Sequence, residues 1–141
     1  MSKRDKKGRE TVDVCPCGSG AVRGVCCGPY LDGDAVAPTA EALMRSRYSA
    51  FVEGRRKYLL STWAEETRPQ ELDLDPGQRW LGLSIRATSA GGVADDVGEV
   101  EFVARSRIGG LGQRLHERSR FRRVNGLWVY VDGIFPDKAP A

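Results

Sequence analysis

The sequence predicts an α+β fold in which two amphipathic helices precede a four-stranded antiparallel meander, with a small cysteine knuckle ahead of both. Three observations carry this. Four cysteines crowd into residues 15–27, apolar residues recur at helical spacing between residues 40 and 53, and alternating segments fill the second half, the last two joined by Asn125-Gly126.

Cys15-Pro-Cys17 is followed eight residues later by Cys26-Cys27, and the chain has no other cysteine. Thiolates on two short loops suit a tetrahedral Zn²⁺ with sulfurs about 2.3 Å from the metal. Gly18, Gly20, Gly24 and Gly28 permit the tight turns that such a knuckle needs. Two disulfides are the competing reading. Residues 1–10, however, are charged throughout and hold no apolar stretch of a secretory signal. The expected compartment is therefore the reducing cytoplasm. The expected ligand set is Cys15, Cys17, Cys26 and Cys27 around one structural zinc, with an iron–sulfur centre as the alternative that four cysteines leave open. Sulfur at every corner leaves the metal no position for substrate or water.

Thr39 follows Pro38 as a natural N-cap, and Glu41 complements the dipole of the first turn. Leu43, Met44, Tyr48, Phe51 and Val52 then repeat with helical spacing, predicting a helix over 40–53 that ends at Gly54. A second helix over 55–65 carries Tyr58, Leu59 and Trp63, after which Pro69 and Pro76 mark a loop.

Strands are predicted over 80–88, 98–105, 113–124 and 127–134. Asn125-Gly126 is a two-residue type I′ hairpin signal that pairs Val124 with Leu127. Carried inward without interruption, this register sets Phe121 opposite Tyr130, Ser119 opposite Asp132 and Glu117 opposite Ile134. One face then gathers Glu117, Ser119, Phe121, Tyr130 and Asp132. The other shows His116, Arg118, Arg120 and Arg122, with His116 facing solvent.

Charge is uneven. Residues 1–10 hold five basic and two acidic side chains, which accounts for the whole net charge of +3, and the remainder carries seventeen of each sign. That balance argues against bulk electrostatic attraction to nucleic acid. Seven arginines nevertheless lie between residues 105 and 123 against the single acid Glu117, and acids collect near residues 65–75 and 95–101. The two sets are placed to face each other across neighbouring strands. Arg45 and Arg47, on the sides of the first helix, are expected to pair with acids. No run approaches the roughly eighteen apolar residues of a membrane span.

Cys-x-Cys-x8-Cys-Cys resembles the SEC-C zinc motif, the kind found at the C-terminus of the SecA translocation motor. The stretches Cys26-Cys-Gly-Pro-Tyr30, Leu43-Met-Arg-Ser-Arg-Tyr-Ser-Ala-Phe51, Thr62-Trp63, Trp80-Leu-Gly-Leu83, Glu117-Arg-Ser-Arg-Phe121 and Gly126-Leu-Trp-Val-Tyr-Val-Asp-Gly133 resemble the YchJ family. No reaction is established for that family. The resemblance implies a SEC-C knuckle joined to a nuclear-transport-factor-2-like (NTF2-like) cone, helices packed on a curved sheet. The implied organisation is a disordered basic tail at 1–12, the knuckle at 13–30, the NTF2-like domain at 31–136 and a frayed end at 137–141. Ala64-Glu65 stand where the family shows His-Pro, so no histidine role carries over, and no second SEC-C copy follows Gly133.

Two functions follow as expectations. The first is a zinc-dependent interaction module docking a protein or ribosome-associated partner, with Arg23, Tyr30 and the N-terminal lysines as contacts; its plainer form is a knuckle that only staples the N-terminus. The second is a small-molecule binder or acid/base enzyme in the cone, using Glu117, Asp132, Tyr130 and Ser119, because a carboxylate held among apolar walls can move protons near neutrality. The arginine stripe offers nucleic acid as a further partner. Pairing through the open sheet face, as in other cones, offers a homodimer.

Overall fold

The computed structural model describes residues 13–138; the basic tail at 1–12 and residues 139–141 lie outside the described residues. After a 3₁₀ turn at Arg23–Val25, the elements are α1 (Gly28–Leu31), α2 (Ala40–Glu53), α3 (Arg56–Ser61), β1 (Gln78–Ala90), β2 (Val97–Ile108), β3 (Leu111–Val124) and β4 (Leu127–Ile134), followed by a 3₁₀ turn at Pro136–Lys138. The strands form one antiparallel sheet in the order β1-β2-β3-β4. The expected α+β layout is present.

Helix α2 starts and stops where its caps dictate. The Thr39 side chain accepts from Ala42 N at 3.0 Å, and Gly54 closes the helix in the left-handed region at φ 72°. The helix is anchored at its first residue. Ala40 N donates to Gly91 O at 2.9 Å, and a Cβ on either Gly91 or Gly98 would collide with the facing glycine or with Ala40. Only glycines let the β1–β2 hairpin approach the helix this closely.

The expected second helix stops four residues early, at Ser61. The Thr62 hydroxyl turns back to Tyr58 O at 2.7 Å, and residues 62–64 run beside β4 as a short parallel bridge. Ala64 N donates to Tyr130 O (2.7 Å) and Tyr130 N to Thr62 O (2.8 Å). Satisfying the free edge of β4 outweighs another helical turn.

Leu43, Met44, Tyr48 and Leu59 pack on the inner sheet face against Val100, Phe102, Phe121 and Trp128, and Cys15, Cys17 and Cys27 belong to the same buried cluster. The knuckle is thus built into the wall of the domain. No helix among the described residues is long and apolar enough to cross a membrane.

The Asn125-Gly126 turn forms with positive φ at both residues (53° and 81°) and pairs Val124 with Leu127 and Phe121 with Tyr130. Beyond Phe121 the uninterrupted register fails. A bulge at Val131 shifts the pairing by one, so Ser119 faces Gly133, Arg120 faces Asp132 and Arg118 faces Ile134. Two contacts favour the slip. Arg120 and Asp132 form a two-pronged ion pair at 2.6 and 2.7 Å, and the Glu117 side chain occupies the space a Cβ at residue 133 would need. The loose bulge carbonyl, Val131 O, accepts from Thr67 Oγ1 at 2.6 Å.

Candidate metal centre and buried polar cluster

The knuckle opens with a miniature hairpin. Val14 bridges Val22, Cys15 N donates to Ala21 O at 2.9 Å, and Arg23 N donates to Asp13 O at 2.7 Å. Gly18 and Gly20, at φ 82° and 89°, turn the chain between them. Cys26 and Cys27 arrive on the turn into α1. All four sulfurs lie within 4.8 Å of one another, and none is oxidised to a disulfide. Cys17 and Cys26 are 3.6 Å apart, close to the roughly 3.8 Å edge of a tetrahedron with 2.3 Å metal–sulfur bonds. The donor set therefore fits a thiophilic metal ion.

Electrostatics point the same way. The neighbouring Cys27 thiol, and then Ser19, hold the Cys17 thiol down to a pKa of about 4 against the opposing effect of burial. That charge and burial push Cys27 up, and burial raises Cys26. One sulfur ionises at its neighbours' expense; a cation among them would let all four be thiolates. Ser19 Oγ lies 3.1 Å from Cys26 Sγ and Ser49 Oγ 3.6 Å from Cys15 Sγ, while Arg45 donates to Cys17 O at 2.8 Å. These outer contacts orient the ligands.

The second cluster sits on the inner sheet face. Glu117, 7% exposed, accepts from Tyr130 OH at 2.7 Å and from Ser119 Oγ at 2.9 Å, both on the same oxygen. Burial first, then the Glu117 charge, pushes the Tyr130 phenol up. Three of the four expected residues, Glu117, Ser119 and Tyr130, come together. Asp132 does not: the bulge turns it outward to Arg120, which holds its carboxyl below the usual range.

Sequence reasoning missed the cation of this cluster. Arg47 is 4% exposed and, contrary to expectation, pairs with no acid within ion-pair distance among the described residues. Its Nη1 donates to Leu59 O (2.8 Å) and Thr62 Oγ1 (2.7 Å), and its guanidinium lies 4.8 Å from the Tyr130 ring centre and 5.0 Å from that of Trp63. Burial lowers its pKa to about 10. The signal was present, since Leu43, Arg47 and Ala50 share one helical stripe and the outer two are core residues. Arg45 does pair with an acid, Glu41, at 2.9 Å.

A cleft of about 570 Å³ opens between the 61–68 loop and the β3–β4 turn, walled by Tyr30, Tyr58, Trp63 and Trp128 with Glu65 and Arg68 at its rim. Neither Glu117 nor Tyr130 lines it. The buried Trp63 indole N–H has no hydrogen-bond partner among the described residues.

On the outer face, acids meet the arginine stripe as the charge pattern suggested. Arg122 pairs with Glu66, Arg120 with Asp132, and Arg118 with Glu101. His116 does lie on this face, away from Glu117, but it is clamped between Glu101 (2.6 Å) and Asp137 (3.0 Å) with its side chain only 14% exposed. Asp137, expected in the frayed end, is held here and by Arg114 at 2.6 Å.

The sequence matches the family described as "YchJ, middle NTF2-like domain" over residues 39–133. It is 56% identical to a UPF0225 protein of Streptomyces coelicolor over 87% of this chain and 96% of that one. To a UPF0225 protein of Chromobacterium violaceum it is 49% identical, covering 92% and 98%. The solution structure of a SEC-C motif containing protein from Rhodopseudomonas palustris, 38% identical, superimposes with a TM-score of 0.75 over 86% of this chain and 97% of that one. A crystal structure of a SEC-C motif containing protein from Psychrobacter arcticus gives 0.71 at 28% identity, covering 88% and 83%. By sequence and by fold alike, this chain belongs to the YchJ family, whose curated members carry the name UPF0225.

Proposed function

We propose that this is a zinc-binding interaction module in which Cys15, Cys17, Cys26 and Cys27 hold one structural Zn²⁺ and the surface around them docks a protein partner. One observation carries the reading: the knuckle turns its sulfurs inward and its apolar residues outward. Cys15, Cys17 and Cys27 are 0–2% exposed, whereas Val14, Val22 and Val25 are 51%, 49% and 77% exposed. Zinc held by four thiolates supplies rigidity and folding energy, not an open coordination position. The outward valines, not Arg23, are then the contacts, since Arg23 is engaged with Glu53 at 2.6 and 3.0 Å.

Two measurements test this. Elemental analysis of purified protein is expected to give about one zinc per chain; a metal-free, fully folded protein or an iron–sulfur absorption spectrum rejects the zinc assignment. A partner identified by crosslinking and reconstituted from purified components is expected to lose binding with Val25→Asp but not with the remote Val93→Asp. Equal behaviour of the two variants removes the docking surface from the knuckle.

A second reading, binding of a small molecule, is favoured by the aromatic-walled cleft. In it the Glu117, Tyr130 and Ser119 cluster stands behind the wall, where the Tyr130 ring packs against Trp63 of the cleft. Ligand screening by thermal shift, repeated on Glu117→Gln, tests it.

A further inference from the structure

The outer face of the sheet has two halves. Toward the β3–β4 turn, Arg118, Arg120 and Arg122 each meet a carboxylate. Arg123, the last of the run, stacks on Trp128 at 4.5 Å and donates to Val93 O and Asp95 O. Toward the β2–β3 turn the pattern reverses. The register sets Arg79 opposite Arg107, and Arg107 opposite Gly112; two residues further along β2, Gly82 stands opposite Arg105, and Arg105 opposite Arg114. Directly opposed residues share a face, as do residues two apart on a strand.

The result is a three-strand, two-row grid of four arginines and two glycines. It measures about 10 Å across the strands and about 7 Å between rows. All four arginines are exposed, and no ion pair joins Arg79, Arg105 or Arg107 to a carboxylate among the described residues; only Arg114 has one, to Asp137. Like charges directly opposite repel. Among the described residues, carboxylates neutralise Arg118, Arg120 and Arg122 on one half of this face, while Arg79, Arg105 and Arg107 on the other half meet none. The two glycines leave the guanidinium forks approachable from above. A shallow groove of about 300 Å³, lined by Arg86, Ser84, Val103 and Arg105, continues from the grid along β1.

We infer that this grid is a docking surface for the phosphate backbone of a nucleic-acid duplex. Guanidinium forks match phosphate oxygens two at a time. The paired positions of the grid hold no aromatic side chain on which unpaired bases would stack. Backbone contact without base reading is what such a surface provides. The inference uses a different surface from the knuckle and does not depend on the metal.

Anisotropy titrations of the zinc-loaded protein with a short labelled RNA duplex, and with a DNA duplex of the same sequence, test it. Binding is expected to fall with salt at a log–log slope of about −3 to −4, from up to four neutralised phosphates at about 0.9 each. Arg105→Gln/Arg107→Gln is expected to weaken binding at least tenfold (order of magnitude) at low salt, Arg79→Gln less, and the control Arg118→Gln/Arg120→Gln hardly at all. Preference for the RNA or the DNA duplex identifies which source of phosphate the face takes. Equal weakening by grid and control variants overturns the inference. So does absence of duplex binding at low salt, or a polyglutamate peptide binding as tightly as either duplex. Unchanged melting temperatures of the exposed-arginine variants separate lost binding from lost fold.

Discussion

The knuckle and the Glu117 cluster are both polar groups sunk in one hydrophobic core, yet they are made in opposite ways. The knuckle takes its four sulfurs from thirteen consecutive residues. The Glu117 cluster takes Arg47 from α2, Thr62 from the end of α3, Glu117 and Ser119 from β3 and Tyr130 from β4. The first is a local object whose crowded sulfurs fit a cation that would let all four ionise. The second is a long-range object whose charges are already met by hydrogen bonds and aromatic faces. Each can be broken separately.

The largest effect is expected at the knuckle. Cys26→Ser/Cys27→Ser removes two of the proposed ligands, and a structural zinc contributes on the order of 10 kcal/mol of binding free energy to folding. Loss of cooperative melting, reproduced in the unaltered protein by a strong chelator, is the expected result. A sharp, unshifted transition in the double variant would show that the apolar contacts of the knuckle suffice without metal.

Arg47→Ala comes next. It opens a cavity between Trp63 and Tyr130 and removes the charged donor that Leu59 O and Thr62 Oγ1 both accept from. A loss of about 2–4 kcal/mol in denaturant unfolding is expected, with zinc content unchanged. A fall in zinc content would mean that the two clusters are coupled.

Glu117→Gln and Asp132→Asn form a matched pair. The buried amide meets two donors already aimed at one oxygen, so a loss of about 1–2 kcal/mol is expected. The exposed Asp132 pair is worth well under about 1 kcal/mol. Equal losses would contradict the bulged register.

The smallest effect is a pH dependence at the C-terminal turn. The hydrogen bond to Glu101, then that to Asp137, raises the His116 pKa above its ordinary 6.5, and His116 lowers that of Asp137 below 3.8. A raised histidine contributes stability below its unfolded pKa and loses it as pH rises through the folded value. A lowered carboxylate contributes above its unfolded pKa and loses it as pH falls. The clamp is therefore strongest between roughly pH 4 and 6.5. Amide exchange at Asp137 and Lys138 should quicken, beyond its intrinsic pH dependence, above that window; His116→Gln should abolish the extra acceleration.

Legibility in the sequence followed the distance over which each feature is encoded. The Thr39 cap, the Gly54 stop and the Asn125-Gly126 turn each act within four residues, and each stands where the sequence put it. The acid–arginine ladder was readable as charge pattern. Arg47 was not, because a charged residue on a core stripe reads as a surface residue until the carbonyls and rings that receive it are in place. Asp132 was misplaced for a related reason: alternation carries no mark for an inserted residue, and the bulge at Val131 is selected by Arg120, Thr67 and the carboxylate behind Gly133.

Spacing and local propensity alone thus determined the cysteine cluster, the order of helices and strands, and the turn that starts the β3–β4 register. Tertiary structure alone decided which arginine is buried, which carboxylate shares its core and which arginines of the sheet face meet a carboxylate. These depend on partners dozens of residues apart, and a chain fixes such partners only when its elements pack.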